Sequence, residues 1–377
     1  MIGKKQDRSF TMAGTCWSSR KVLVIAEAGT AHQASLERSR LLVDAAVDSG
    51  ADCIKFQHVY AEEILHPNTG TVPLPGGDIR LFDRFKTLER DAAFLTAIKD
   101  YCAEQGIIFL CTPFGAKSCD ELLSIGVQAL KVASPELNHL PLLSRCSAGG
   151  VPLILSSGVS RLSDIELAVE TIRARNEKLE LALLHCITSY PAPEREYNLR
   201  LLPLLAALFD LPMGVSDHSM DSELVPSLAV AMGACIIEKH LCLSRADAGL
   251  DDPIALEPRD FTHMVSTIRE ASNTPFEEVN ARLSRERGAE LVEAILGNGR
   301  KTLAPSERAN YYRTRRSVHA LEDLPVGHRL SRKDMAIIRT EKVLRPGLDP
   351  VWFDALEGHR LAKAVPAGEG IRFEDLE

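Results

Sequence analysis

Eight short apolar runs, each closed by polar residues and most followed by a longer amphipathic stretch, constrain the fold of this chain more than any other feature. They occupy residues 22–27, 53–57, 107–112, 129–133, 152–156, 181–186, 213–217 and 235–240. Runs of this length, rich in Val, Ile and Leu, read as strands buried on both faces, and patterns such as residues 35–48 and 161–173 read as amphipathic helices. Strands alternating with helices give parallel β-α units, and eight of them between residues 22 and 240 predict an α/β chain closed into a (β/α)8 barrel, the TIM-barrel architecture. An open doubly wound sheet is the structural alternative. Against it, no G-x-G-x-x-G turn follows the first strand, and polar residues end nearly every strand instead of clustering at one crossover.

The rhythm breaks twice. After the second strand, residues 60–86 carry HPNTGTVPLPGG, too rich in Pro and Gly for a regular crossover, and are expected to form a mobile loop over the barrel mouth. After the eighth unit, residues 275–310 are charged and helix-compatible, like a linker arm, and a small β-rich domain is expected over 311–377. Two stretches there, LPVGHRLSRKDM and VPAGEGIRFEDL, echo each other as a turn, a β piece and a helix start. The expected organisation is thus an N-terminal tail over 1–20, a barrel over 21–274, a linker over 275–310 and the small domain.

A net charge of -8 leaves no basic stripe for a run of phosphates, which argues against nucleic acid as a partner. Nine cysteines, an odd number without a C-x-x-C pair, read as reduced thiols of a cytoplasmic protein. Residues 1–20 lack a signal-type apolar core, and the densest later run, 201–209, is far too short to span a bilayer.

In parallel barrels the chemistry gathers where strands end. The residues closing the runs are Glu27, Lys55 and Gln57, Thr112, Lys131 with Ser134 and Glu136, Ser156, His185 with Tyr190, Ser216 with Asp217 and His218, and Glu238 with Lys239 and His240. Lysines inside CIKFQ and ALKVAS need partners, because an isolated charge in a core is costly; an anion in the mouth would supply one. A single such lysine reads more readily as a snorkelling or ion-paired structural residue; two together shift the reading towards the anion. His218 and His240 end successive strands and are expected to project into one mouth. Two histidines with waters, and a carboxylate such as Asp217, suit Mn²⁺, Mg²⁺ or Fe²⁺ with open positions better than a closed zinc site; the bland alternative is two hydrogen-bonded structural histidines.

Taken in order, IAEAG, IKFQ, CTPF, KVASPELN, SSG, LLHC with SYPAP, GVSDHS and IIEKH resemble the strand ends of the sialic acid (nonulosonic acid) synthase family. The resemblance runs from Lys21 to Glu377, because the C-terminal segment is similar to that family's antifreeze-like (SAF) domain. It implies condensation of phosphoenolpyruvate with the open-chain aldehyde of an N-acetylmannosamine-like sugar, with release of phosphate. By the same resemblance Lys55, Thr112, Lys131, Ser134, Ser156 and Ser216 hold phosphoenolpyruvate, and His218 and His240 bind a divalent metal, usually Mn²⁺. Glu27 handles the attacking water, while Glu136, Tyr190 and Asp251 face the sugar. Arg345, in an Arg-Pro-Gly turn, matches an arginine that one subunit's tail lends to its partner's barrel, which implies a domain-swapped homodimer.

These residue types suit the chemistry. A Lewis acid activates the aldehyde, the lysines neutralise phosphate and carboxylate, and Glu27 deprotonates water for the step that ends in loss of phosphate. Departures from the family pattern fall at Ala31-His32-Gln33-Ala34, His58, Thr188 and the GLDDP stretch, all bordering the sugar side. They point to an acceptor other than N-acetylmannosamine itself, such as a diacetamido-deoxy hexose. The alternatives are another phosphoenolpyruvate-dependent keto-sugar acid synthase, a Schiff-base aldolase using Lys55 or Lys131, and a non-catalytic carbohydrate-binding relative.

Overall fold

Alternation along each strand decides which residues enter the barrel and which face the helices. The computed structural model describes residues 8–74, 77–247 and 249–377. A short hairpin, β1 (Phe10–Met12) and β2 (Thr15–Trp17), precedes the first barrel strand β3 (Leu23–Gly29), and β4 (Cys53–His58) follows. An inserted hairpin, β5 (Thr71–Leu74) and β6 (Gly77–Arg80), stands apart from the barrel. The barrel continues with β7 (Ile108–Pro113), β8 (Leu130–Val132), β9 (Leu153–Ser156), β10 (Leu181–Cys186), β11 (Met213–Asp217) and β12 (Ile236–His240). Every neighbouring pair is parallel, and β12 pairs with β3 to close the ring. All eight strands lie within two residues of the runs read from the sequence.

Inside the barrel, Leu23, Ile25, Cys53, Leu110, Ala129, Ile154, Ala182, Leu184 and Ile236 form an apolar plug, while the intervening positions Val24, Ile54, Leu130, Leu155 and Ile237 face outward into the larger core between strands and helices. Phe10, Met12 and Trp17 pack into the plug, so residues 10–17 of the segment expected as a tail form a hairpin that stoppers the barrel's N-terminal end. Residues 1–7 lie outside the described chain.

Residues 60–86 also differ from the expected mobile loop. Around β5 and β6 they hold two helices, Ala61–Ile64 and Leu81–Leu88, on a small apolar cluster of Val59, Ala61, Ile64, Leu65, Leu81, Phe82 and Phe114. This cluster docks on the C-terminal domain: Asn68 Nδ2 donates to Ala367 O at 3.1 Å and Thr69 Oγ1 to Thr340 O at 3.1 Å. The segment expected as a linker carries helices Phe276–Leu283 and Ala289–Leu296, whose Val279, Leu283, Val292 and Ile295 join the main core.

The C-terminal domain contains an antiparallel pair, β13 (Arg316–Ala320) and β14 (Met335–Arg339). Its two echoing stretches meet where Leu324 bridges Val365, and Arg329 of the first bridges Arg360, just before the second. In each, an aspartate closes the following turn, Asp334 accepting from Ser331 N at 2.7 Å and Asp375 from Arg372 N at 2.9 Å.

Phe10→Ala removes a fully buried ring from the plug and is expected to lower stability by about 3–5 kcal/mol, read as a shift in the denaturation midpoint.

Candidate active site

Above the apolar plug the inward positions turn polar. Glu27, Lys55, Gln57, Thr112, Lys131, Ser156, Ser216, Glu238 and His240 all continue the inward parity of their strands, and register pairs Glu27 with Lys55, Ser216 with Glu238 and His240 with Glu27. Lys55 Nζ lies 3.0 Å from Glu27 Oε2 and 3.3 Å from Glu238 Oε2. Lys131 Nζ donates to Ser156 Oγ at 2.7 Å and to Val132 O at 3.1 Å, and lies 3.7 Å from Glu238 Oε1. Ser216 Oγ donates to Glu238 Oε1 at 2.9 Å, and Gln57 Nε2 to Glu27 Oε1 at 2.8 Å.

Glu238 is therefore the hub of this layer, although the sequence reading gave it no role. Both lysines already have carboxylate partners, Glu238 and Glu27, and do not wait for an anion to supply one. The signal was present: Glu238 stands two residues before His240 and so shares its face. Burial works against the charge on Lys55, but Glu238 and Glu27 hold its pKa above the ordinary lysine value. At Lys131 burial wins, since Lys55 repels it and Glu238 is shared, and its pKa falls to about 8. Burial also opposes ionisation of Glu238, yet the two lysines and Ser216 bring its pKa down to about 2.

His218 and His240 sit together at the rim, ring centroids 5.6 Å apart, with Tyr190 stacked 4.3 Å from His218 and half-exposed. His218 Nδ1 donates to Ile187 O at 2.9 Å, which leaves Nε2 as the free donor atom. Burial lowers the pKa of His240 and favours its neutral, ligating form against the pull of Asp251 and Glu27. Burial likewise opposes charge on His218, but Cys186 beside it holds its pKa up to about 9, so a cation here would displace a proton. Gly29, at φ 51°, marks where Glu27 and Asp251 converge: a Cβ there would lie 3.3 Å from Glu27 Oε1 and 3.6 Å from Asp251 Oδ2. Two imidazoles beside carboxylates fit a divalent ion that keeps open positions, although no group of three His, Cys, Asp or Glu forms a ready cage among the described residues. Asp217, expected as a further ligand, has the opposite parity. Lys239 Nζ and Tyr197 OH donate to it at 2.6 and 2.5 Å on the helix side of the sheet. His185 faces the same way and bonds Tyr197 O.

Glu136 is fully buried where the C-terminal domain meets the mouth. Its Oε1 accepts from Arg316 Nε and Nη2 at 3.2 and 3.0 Å and from Arg339 Nε and Nη2 at 3.1 and 2.7 Å, while Oε2 has no partner. Arg316 and Arg339 are register partners across β13 and β14, which puts both guanidiniums on one face. Arg345, the tail arginine expected at a barrel mouth, does not reach the mouth of its own chain. Glu369 accepts from its backbone N–H at 2.7 Å and Asp375 from its guanidinium at 2.5 Å, so two acids of its own domain capture it. The sequence reading missed Arg316 and Arg339; only the pairing of RRSVHA with AIIRTE would have shown them. Ser134 Oγ accepts from Gly158 N at 3.0 Å, beside Ser156.

Arg316→Met leaves Glu136 buried with Arg339 alone and is expected to cost about 3 kcal/mol, measured by urea denaturation at pH 7.

Residues 42–278, more than half of the chain, match the NeuB family, and residues 315–377 match the SAF domain. Spore coat polysaccharide biosynthesis protein SpsE of Bacillus subtilis is 34% identical over 358 residues, 94% of this chain and 93% of that protein. The N,N'-diacetyllegionaminic acid synthase of Legionella pneumophila is 31% identical and covers 96% of both chains. The crystal structure of the Bacillus SpsE superposes with a TM-score of 0.81 at 32% identity, over 98% of this chain and 99% of that one. That of N-acetylneuraminic acid synthetase from Leptospira borgpetersenii superposes with a TM-score of 0.65 at 30% identity, over 81% and 95%. Matched by the family's model over most of its length and about a third identical to relatives that it covers almost end to end, the chain belongs to the NeuB family and carries a C-terminal SAF domain.

Proposed function

We propose that this phosphoenolpyruvate-dependent synthase, which joins its substrate to an amino sugar, takes an unphosphorylated N-acetylated aldose of the N-acetylmannosamine or diacetamido-deoxy hexose type and makes a nonulosonic acid. The observation that carries the reading is the buried layer in which Lys55 and Lys131 stand on either side of Glu238, directly beneath the His218 and His240 pair. Two relatives about a third identical are named as diacetyllegionaminic acid synthases, which favours a diacetamido acceptor. An acceptor phosphate would need a spare cation. Arg80 is tied to Asp83, Arg90 to backbone carbonyls, Arg38 to Asp247, and Arg316 and Arg339 to Glu136.

In this reading Lys55 and Lys131 neutralise the phosphate and carboxylate of phosphoenolpyruvate, with Thr112, Ser134, Ser156 and Ser216 orienting it. His218 and His240 would hold Mn²⁺, or another divalent ion, which polarises the aldehyde oxygen when bound. Glu136, with its unpartnered oxygen, Tyr190 and Asp251 face the sugar. Glu27 takes the proton of the attacking water, and Gln57, donating to its other oxygen, fixes the carboxylate's orientation. A homodimer with exchanged tails, in which the tail contacts made here within one chain are made on the partner's barrel, belongs to the same proposal. So does a cytoplasmic location, supported by nine free thiols, eight of them buried.

The test is phosphate release from phosphoenolpyruvate with Mn²⁺ across N-acetylmannosamine, mannose, N-acetylmannosamine 6-phosphate and diacetamido-deoxy hexoses, with mass detection of the product. Release only with an unphosphorylated acetamido sugar, and a product three carbons longer, is the expected outcome; release only with the 6-phosphate would overturn the acceptor class. His240→Ala should abolish turnover while the far-UV circular dichroism stays unchanged. Because Lys131 is charged below about pH 8 and neutral above it, phosphoenolpyruvate affinity of the free enzyme should fall as pH rises from 7 to 9. A flat profile by titration calorimetry would remove Lys131 from the anion site.

A further inference from the structure

The connection between barrel and tail buries one carboxylate that bonds backbone N–H groups and no cation. Glu307 Oε1 accepts from Val159 N at 2.6 Å and Thr188 N at 2.8 Å, and Oε2 from Ala304 N at 3.2 Å. Val159 lies just after β9 and Thr188 just after β10, so a single oxygen ties two neighbouring mouth loops together. Val159 is buried with φ at 42°, a left-handed conformation that a β-branched residue adopts only when its surroundings impose it.

That strained residue ends the loop carrying the anion-site hydroxyls. Ser156 accepts from Lys131, and Gly158 donates its N–H to Ser134 Oγ at 3.0 Å. The packing allows no slack: a Cβ on Gly158 would lie 2.1 Å from Thr188 Oγ1 and 2.9 Å from Ser134 Oγ. The same connection grips the loop elsewhere. Lys301 Nζ donates to Ser157 O at 3.2 Å, and beyond the loop Tyr311 OH and Arg315 donate to Asp164, both at 2.9 Å.

We propose that Glu307 is a positioning residue for phosphoenolpyruvate: by holding Val159 N–H and Thr188 N–H it imposes the left-handed turn that sets Ser134 and Ser156 around Lys131. The inference rests on the reading that these three residues hold phosphoenolpyruvate. It makes the barrel-to-tail connection a working part of the substrate site. Water cannot take over the role, because the carboxylate and both N–H groups are buried and a lost acceptor leaves two donors unsatisfied.

Titration calorimetry of the full-length protein with phosphoenolpyruvate tests this. Glu307→Met, similar in length but without an acceptor, leaves the Val159 and Thr188 N–H groups, which share Oε1, without a partner and should weaken binding about tenfold. Adding Val159→Gly should restore affinity to within about threefold of the parent, because glycine takes a positive φ without help. A merely structural glutamate would lower the melting temperature and leave the dissociation constant unmoved; that result, or a double variant as weak as the single one, overturns the proposal. If Glu307→Met yields no soluble protein, Glu307→Asp, which keeps the charge but shortens the reach, is read in the same way. Failure of the parent protein to bind phosphoenolpyruvate would instead overturn the functional reading, and with it the substrate named here.

Discussion

Closure of β12 onto β3 sets His240 opposite Glu27, and this one register fixes the chemistry of the interior. Side chains in a strand alternate, so choosing which residue of β3 points inward also chooses it for every strand around the ring. The inward set then divides by height. Leu23, Ile25 and Ile236 lie below, and Glu27, Glu238 and His240 lie above. A shift of one residue would send both glutamates into the apolar layer under the helices and bring Ala26 and Lys239 inside. The cost of burying unpaired charge among leucines is what makes the observed register the stable one.

The polar layer is close to neutral on its own account. Lys55 and Lys131 face Glu27 and Glu238, and the two lysines hold Glu238 ionised against its burial. Such a layer is a compromise between stability and use. Two buried ammonium groups without counter-charges would bind an anion tightly but would destabilise the empty barrel, whereas fully paired ones would have little left to offer. Sharing Glu238 between two lysines lies between these limits. Lys55 keeps Glu27 besides its share of Glu238, while Lys131 has only the shared carboxylate and so has more charge left to offer.

The fold and the inward half of the site were legible because both follow from local pattern. Apolar runs located the strands to within two residues, and the polar residues ending them marked Glu27, Lys55, Thr112, Lys131, Ser156, Ser216 and His240. Errors arose where parity was not applied. Asp217 neighbours Ser216 and His218 in sequence but belongs to the other face, where Lys239 and Tyr197 satisfy it. Glu238 was in view and lacked a role for the same reason. Arg316, Arg339 and Glu307 could not be placed at all. They reach the mouth across separations of 119 to 203 residues, and no short-range periodicity encodes such contacts.

Arg316 shows what those long-range contacts demand of side-chain chemistry. Its guanidinium has five N–H donors and uses each of them: two on Glu136, and the others on the carbonyls of Phe114, Glu63 and Ile337. These acceptors come from the loop after β7, the inserted segment, the turn after β8 and the tail itself. A fully buried cation is tolerable only when its donors are met, and burial still lowers the pKa of Arg316 to about 10. Lysine, with three donors radiating from one atom, could not span the four segments, so the seat of the tail on the barrel depends on a planar fork. The near-repeat gives that fork a rigid mount. Its two turns pair with each other, β13 and β14 hold Arg316 in register with Arg339, and the tail presents both guanidiniums to one carboxylate.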